Sequence, residues 1–276
     1  MSVSNAIVAG IIYALTEMLD LSGSGQLAVV NTLFDLRLTE FHLLFKALTE
    51  LAVMVALVLA YRKDIALLIR DTTGLTGFSR RPRRKGERYP EARLLFMLVM
   101  ATLPLLIMLP FRRGYLSLWN STSFVGVMFV LNGAVLYIAE RMVPGKKGLG
   151  RMKITDALII GICQAVAIIP GLSRLAVTVT CGEAEGFEKH YCIRFGMLMA
   201  IPALFGSFIL SLADAAIAGI DTSYMTVYLA GAGAALVTAF FAVFGFRRLI
   251  RRRGYGGLAY YSWVIGVLSI ILTLIF

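Results

Sequence analysis

Apolar residues fall in long uninterrupted runs along this chain, not in the alternating or striped patterns of a soluble fold. Six runs near the roughly 20 residues that an α-helix needs to cross a bilayer lie at about 39–61, 94–111, 118–139, 190–212, 224–246 and 257–276. Two further apolar stretches, about 3–35 and about 154–180, are broken by turn residues, the first near 20–25 and the second at Pro170-Gly171-Leu172-Ser173. A broken stretch can enter and leave a membrane on one side when its irregular backbone is buried in protein or lines a cavity. The pattern predicts an all-α polytopic membrane protein: six transmembrane helices plus two re-entrant broken helical hairpins.

Composition agrees with this and adds orientation. Of 276 residues, 59% are hydrophobic and 16% charged, against roughly 45–50% and about 25% in soluble domains. The net charge of +11 comes from Lys and Arg in short segments between apolar runs. That is the positive-inside bias of a membrane protein, and it argues against a nucleic-acid surface. The loop 62–93, the segment 141–153 and the cluster Arg247 to Arg253 are therefore expected in the cytoplasm. The connection 213–223 carries Asp214 and Asp221 and no base, so it is expected outside. Arg112 and Arg113 in a short outer loop depart from the bias. Cys163, Cys181 and Cys192 have no metal-ligand spacing and read as small hydrophobes. The N-terminal run has no basic flank, so no cleavable signal peptide is expected.

Each half of the chain then holds one broken stretch followed by three spans: residues 1–140, with the basic cytoplasmic loop 62–93, and residues 141–276. An odd number of spans inverts the second copy relative to the first, giving an inverted-topology repeat whose two broken tips can meet near the midplane. A faint echo accompanies the breaks, Leu27-Ala28-Val29 after the first and Leu175-Ala176-Val177 after the second.

The candidate chemistry gathers at those breaks. Arg174 is a fixed positive charge in an otherwise apolar stretch, which is expensive in lipid unless it faces protein, water or an anion. Its guanidinium suits bidentate recognition of phosphate; a structural ion pair with Glu17 or Asp20 is the plainer alternative. Gly171 and Ser173 beside it, and Thr178 one turn on, could add N–H and hydroxyl donors. Glu17 and Asp20 lie one helical turn apart before the first break and suit acid/base work, or a divalent cation (Mg or Ca) bridging a diphosphate. Solvated acids at a helix end are the alternative. Ser22-Gly23-Ser24-Gly25 reads as an anion-binding turn of N–H and hydroxyl groups, or as a plain turn with small-residue packing. His42, Lys46 and Glu50, spaced by four, share one helical face. Lys46 could reach a phosphate headgroup, and snorkelling to the interface is its alternative.

At these motifs the chain resembles the undecaprenyl-diphosphatase family, bacterial membrane enzymes that dephosphorylate undecaprenyl diphosphate and are linked to bacitracin resistance. The family pattern E-G-x-x-E-x-x-P-x-S-S-x-G-H stands here as Tyr13 to Gln26, and P-G-x-S-R-S-G-x-T as Pro170 to Thr178. An aromatic-then-apolar stretch ending in I-P is matched by Phe195 to Ile201-Pro202. Glu17, Ser22, Gly25, Ser173, Arg174 and Thr178 match. Tyr13, Gly23 and Gln26 depart, where the pattern has glutamate, serine and histidine; Asp20 replaces its proline, and Lys46 stands where glutamine is usual.

The resemblance implies a hydrolase of the bacterial inner membrane acting in lipid-carrier recycling for the cell wall. Glu17, Asp20, Ser22 and Ser24 are its expected catalytic set, Glu17 and Asp20 its metal-binding pair, and Gly171, Ser173, Arg174, Thr178 and Lys46 its phosphate-binding set. Expected partners are a polyprenyl diphosphate lipid, the bilayer and a second copy in a homodimer, with no nucleic acid. A non-hydrolytic polyprenyl-phosphate carrier or binder that has lost its base is the alternative.

Overall fold

A computed structural model describes residues 2–34, 43–75, 90–143, 145–219 and 222–275. His42, residues 76–89 of the basic loop and Asp221 lie outside the described residues. The described chain is built of α-helices joined by turns and short 3-10 segments, the α-helices in the order α1 (Val3–Met18), α2 (Gly23–Phe34), α3 (Leu43–Ala60), α4 (Arg62–Leu75), α5 (Pro90–Ile107), α6 (Arg112–Ser117), α7 (Thr122–Arg141), α8 (Ile154–Val166), α9 (Arg174–Ala184), α10 (Lys189–Ala218), α11 (Met225–Arg253) and α12 (Gly256–Ile275).

Among the described residues, six segments are long and apolar enough to cross a membrane: Leu43–Ala60, Glu91–Phe111, Thr122–Arg141, Lys189–Ala218, Met225–Ile250 and Gly256–Leu274. They match the six predicted runs. The chain is a multi-pass membrane protein. The helices α1 and α8 are apolar too, but at 16 and 13 residues they fall short of the roughly 20 that a crossing needs. Each belongs to a broken pair, α1 with α2 and α8 with α9, and within each pair the helices pack together.

Local chemistry sets the helix ends. The Ser2 hydroxyl caps α1 by accepting from Asn5 N–H, and Ser121 caps α7 through Phe124 N–H. At the start of α8 the Asp156 carboxylate accepts from Lys153 N–H at 2.8 Å. These bonds satisfy donors that the first turn of a helix leaves open. After α1 the chain turns through Asp20 and Ser22, both in left-handed backbone with φ of 61° and 56°.

Packing between helices relies on small residues where backbones touch, as expected in a bundle that lipid surrounds. The helix α1 lies on α11, with Gly10 against the carbonyl of Gly231. The helix α8 lies on α5, with Gly161 against the carbonyl of Ala101. The helices α7 and α12 meet at Gly126 and Gly266, and α3 packs on α10 and α11.

The ends that the charge bias assigns to the cytoplasm come together. Arg194 at the start of α10 pairs with Asp64 of α4 at 2.7 Å and with Glu91 of α5 at 2.9 Å. Arg247 of α11 stacks over Tyr61, Lys189 over Tyr255, and Arg93 donates to the Met152 carbonyl. At the other end Arg112 of α6 pairs with Asp214 of α10. The base that broke the bias in the outer loop is thus neutralised by the acid expected on the same side. Cys163 and Cys181 face each other across α8 and α9, a contact that reading them as isolated hydrophobes did not foresee.

Candidate functional site

The two breaks meet inside the bundle. Gly171 N–H donates to Ser22 Oγ at 3.1 Å. Gly25 lies so close to Gly171 that an added Cβ would sit 2.8 Å from its nitrogen. Asn132, fully buried on α7, ties the two together from the side. Its Oδ1 accepts from Ser173 N–H at 2.8 Å, and its Nδ2 donates to the Asp20 carbonyl and to Ser262 Oγ, each at 3.1 Å. Backbone groups that two interrupted helices leave open thereby find partners in the Ser22 hydroxyl and the Asn132 amide, in a place where water is scarce.

Beside this junction Arg174 Nη2 donates to Glu17 Oε1 at 2.5 Å, joining α9 to α1. The other Glu17 oxygen accepts from Gly23 N–H at 3.1 Å. One carboxylate therefore holds both the guanidinium and the turn that opens α2. A guanidinium has five N–H donors; this contact leaves most of them for an anion.

Arg174 and Glu17 line a cavity of about 200 Å³. Ser22 and Ser24 come to it from the first break, and Leu172 from the second. The span α3 contributes Lys46 and Glu50, and α10 contributes Ser207 and Ser211. Arg112, Tyr115 and Trp119 stand at the end away from the basic loops. Lys46 Nζ lies 4.4 Å from the Trp119 ring centroid, a cation–π contact that holds the ammonium at the cavity edge. An arginine, a lysine and hydroxyls around an acid-bearing pocket form a site for a phosphate-like anion.

Residues 6–268 match the family described as Bacitracin resistance protein BacA. The chain belongs to this family. Similar proteins include the undecaprenyl-diphosphatase of Syntrophotalea carbinolica, 32% identical, covering 96% of this chain and 97% of the relative. The undecaprenyl-diphosphatase of Carboxydothermus hydrogenoformans is 30% identical, over 97% of this chain and 96% of its own. That of Methanosphaera stadtmanae is 30% identical, over 100% and 99%.

Geometry sorts the expected BacA-type site residues into two groups. Glu17, Ser22, Ser24, Lys46 and Arg174 line the cavity. Gly171, Ser173, Thr178 and Asp20 do not appear in its wall. Ser173 is the N-cap of α9, its hydroxyl spent on Ala176 N–H, while Thr178 turns its hydroxyl back onto the Leu175 carbonyl. Gly171 supplies the tight backbone and the bond to Ser22. These three shape the break that carries Arg174.

Asp20 is wholly buried, and neither of its carboxylate oxygens has a hydrogen-bond partner. Of the expected metal-binding pair, Glu17 lines the cavity and Asp20 does not. Among the described residues no group of three or more His, Cys, Asp or Glu side chains gathers in metal-binding geometry. Gln26 is likewise buried off the cavity, accepting from the Tyr261 hydroxyl.

One site residue escaped the sequence reading. Asn132 carried no signal beyond being a polar residue in an apolar span. Glu50 was noted on the Lys46 face without a role, although an acid inside a span was itself a pointer.

Proposed function

We propose that this chain hydrolyses undecaprenyl diphosphate, or a closely related polyprenyl diphosphate, to the lipid monophosphate and phosphate. The reaction would serve lipid-carrier recycling for the cell wall, in a bacterial plasma membrane. The observation that carries this reading is Arg174, held by Glu17 where the two breaks meet, inside a cavity ringed by hydroxyls and a lysine. The family match and the activity for which the relatives are named support it, and nothing observed favours the carrier reading.

Phosphoryl transfer asks the protein mainly to position the phosphates and stabilise their charge. In this reading the free guanidinium N–H groups of Arg174 grip the terminal phosphate. Lys46 adds a point charge, and the Ser22 and Ser24 hydroxyls fill remaining acceptor positions. Glu17 aims the guanidinium. The inverted repeat belongs to the same proposal. Its support is the paired packing of α1 on α11 and α8 on α5, which exchange places when the two halves are interchanged. Entry from the outer face is proposed because the cavity wall reaches Arg112 and Trp119, opposite the basic ends.

Phosphate release from undecaprenyl diphosphate by purified protein in detergent tests the reading, with and without Mg or Ca. Release is expected from the unaltered chain and its loss from Arg174→Ala. No release above a protein-free blank, with lipid still bound, would move the chain to the carrier class.

A further inference from the structure

Among the described residues, the carboxylates in the cavity wall are Glu17 and Glu50. Glu17 is committed: one oxygen to Arg174, the other to Gly23 N–H. Gln26 faces elsewhere, and Tyr13 offers a phenol. Glu50 differs. It sits in the middle of the span α3, 3% exposed, in a place where an uncompensated acid is costly. Its Oε1 accepts from Ser207 Oγ of α10 at 2.6 Å, while its Oε2 is buried with no hydrogen-bond partner. Ser207 and Glu50 both belong to the cavity wall that Arg174 shares. An acid on one span of the cavity wall, oriented by a hydroxyl from another and left with one carboxylate oxygen that no protein donor satisfies, is built to take up a proton.

We infer that Glu50 is the catalytic base of the hydrolysis, with Ser207 as its positioning residue; this rests on the diphosphatase reading above. A water molecule at the Arg174-bound phosphate, beside the Glu50 carboxylate, gives its proton to Glu50. Its oxygen forms the new bond to the terminal phosphorus, and the bond from that phosphorus to the bridging oxygen breaks. The lipid monophosphate leaves with the electron pair, and Glu50 passes its proton to the released phosphate or to solvent. Atoms and charge balance without an added reactant. Glu17, in this scheme, aims Arg174 and takes no proton.

The test uses the full-length protein in detergent with undecaprenyl diphosphate, measuring phosphate release and lipid retention on immobilised protein. A positioned base contributes about 10²- to 10⁴-fold. Glu50→Gln, which keeps the volume and an acceptor for Ser207, is expected to lose that factor in kcat while KM and lipid retention hold. Ser207→Ala is expected to lower kcat at unchanged KM, and Ser207→Thr to restore it. That pair decides the matter should Glu50→Gln fail to fold. Full turnover by Glu50→Gln, or by Ser207→Ala, overturns the assignment and leaves the diphosphatase reading standing. Absence of release from the unaltered chain overturns the diphosphatase reading, and the base assignment with it.

Discussion

The hydroxyl oxygen of Ser22 and the backbone N–H of Gly171 are joined by a 3.1 Å hydrogen bond between residues 149 positions apart. Both partners occupy left-handed backbone, at φ of 56° and 97°. For a serine that conformation costs on the order of 1–3 kcal/mol and persists only where its surroundings enforce it. Here the enforcement comes from the opposite break. Each interruption is the template for the other, which places Glu17 and Arg174 within bonding distance.

Gly171→Ala is expected to break this junction. A Cβ there would lie 2.6 Å from the Met128 side chain and 2.7 Å from the Val125 carbonyl, on a backbone that L side chains rarely adopt. Destabilisation above about 1 kcal/mol follows from the conformation alone, with phosphate release lost as Arg174 shifts. Thermal melting in detergent checks it, and a wild-type melting curve with normal turnover would refute it.

Asn132→Ala should destabilise more than its size suggests. It strands the buried Ser173 N–H and the Asp20 carbonyl, at about 1–3 kcal/mol for each unpaired group. A melting temperature within error of wild type would show that the bridge is dispensable.

Asp20→Asn is expected to leave phosphate release within about twofold and to hold or raise stability. Asparagine tolerates the left-handed backbone, and the change removes a buried carboxylate with no partner. A large loss of activity, above all one that depended on added Mg or Ca, would instead restore Asp20 to the chemistry.

Gly10→Leu and Gly161→Leu should do matching damage. Each side chain would enter a helix crossing where backbones touch, α1 on α11 in one case and α8 on α5 in the other. Overpacking of this kind costs about 1–3 kcal/mol or more. Detergent melting and yield of folded protein measure the pair. Severe damage from one and none from the other would argue against equivalent roles for the two halves.

The six spans were legible because crossing a bilayer demands length and apolarity, and both are written locally. The breaks were legible for a related reason: Pro170, Gly171 and the Ser22–Gly25 run cannot continue an apolar helix unnoticed. Arg174 stood out because a lone cation at that depth needs a partner, and Glu17 was among the partners named. Less was visible inside the motifs. Ser173 and Thr178 look like phosphate ligands by type and spacing, yet their hydroxyls go to helix backbone, since a hydroxyl at a helix start or interior has a nearby N–H or C=O competing for it.

By itself, the sequence determined an all-helical membrane bundle, its spans, the two interruptions and the residues crowded around them. Local hydrophobicity and turn chemistry suffice for those. Only the tertiary structure decided which acids share the cavity. It left Asp20 buried outside the cavity wall, and it brought Glu50 of α3 against Ser207 of α10, 157 positions apart. Such choices depend on how helices rotate and cross when they pack, and no local pattern records that.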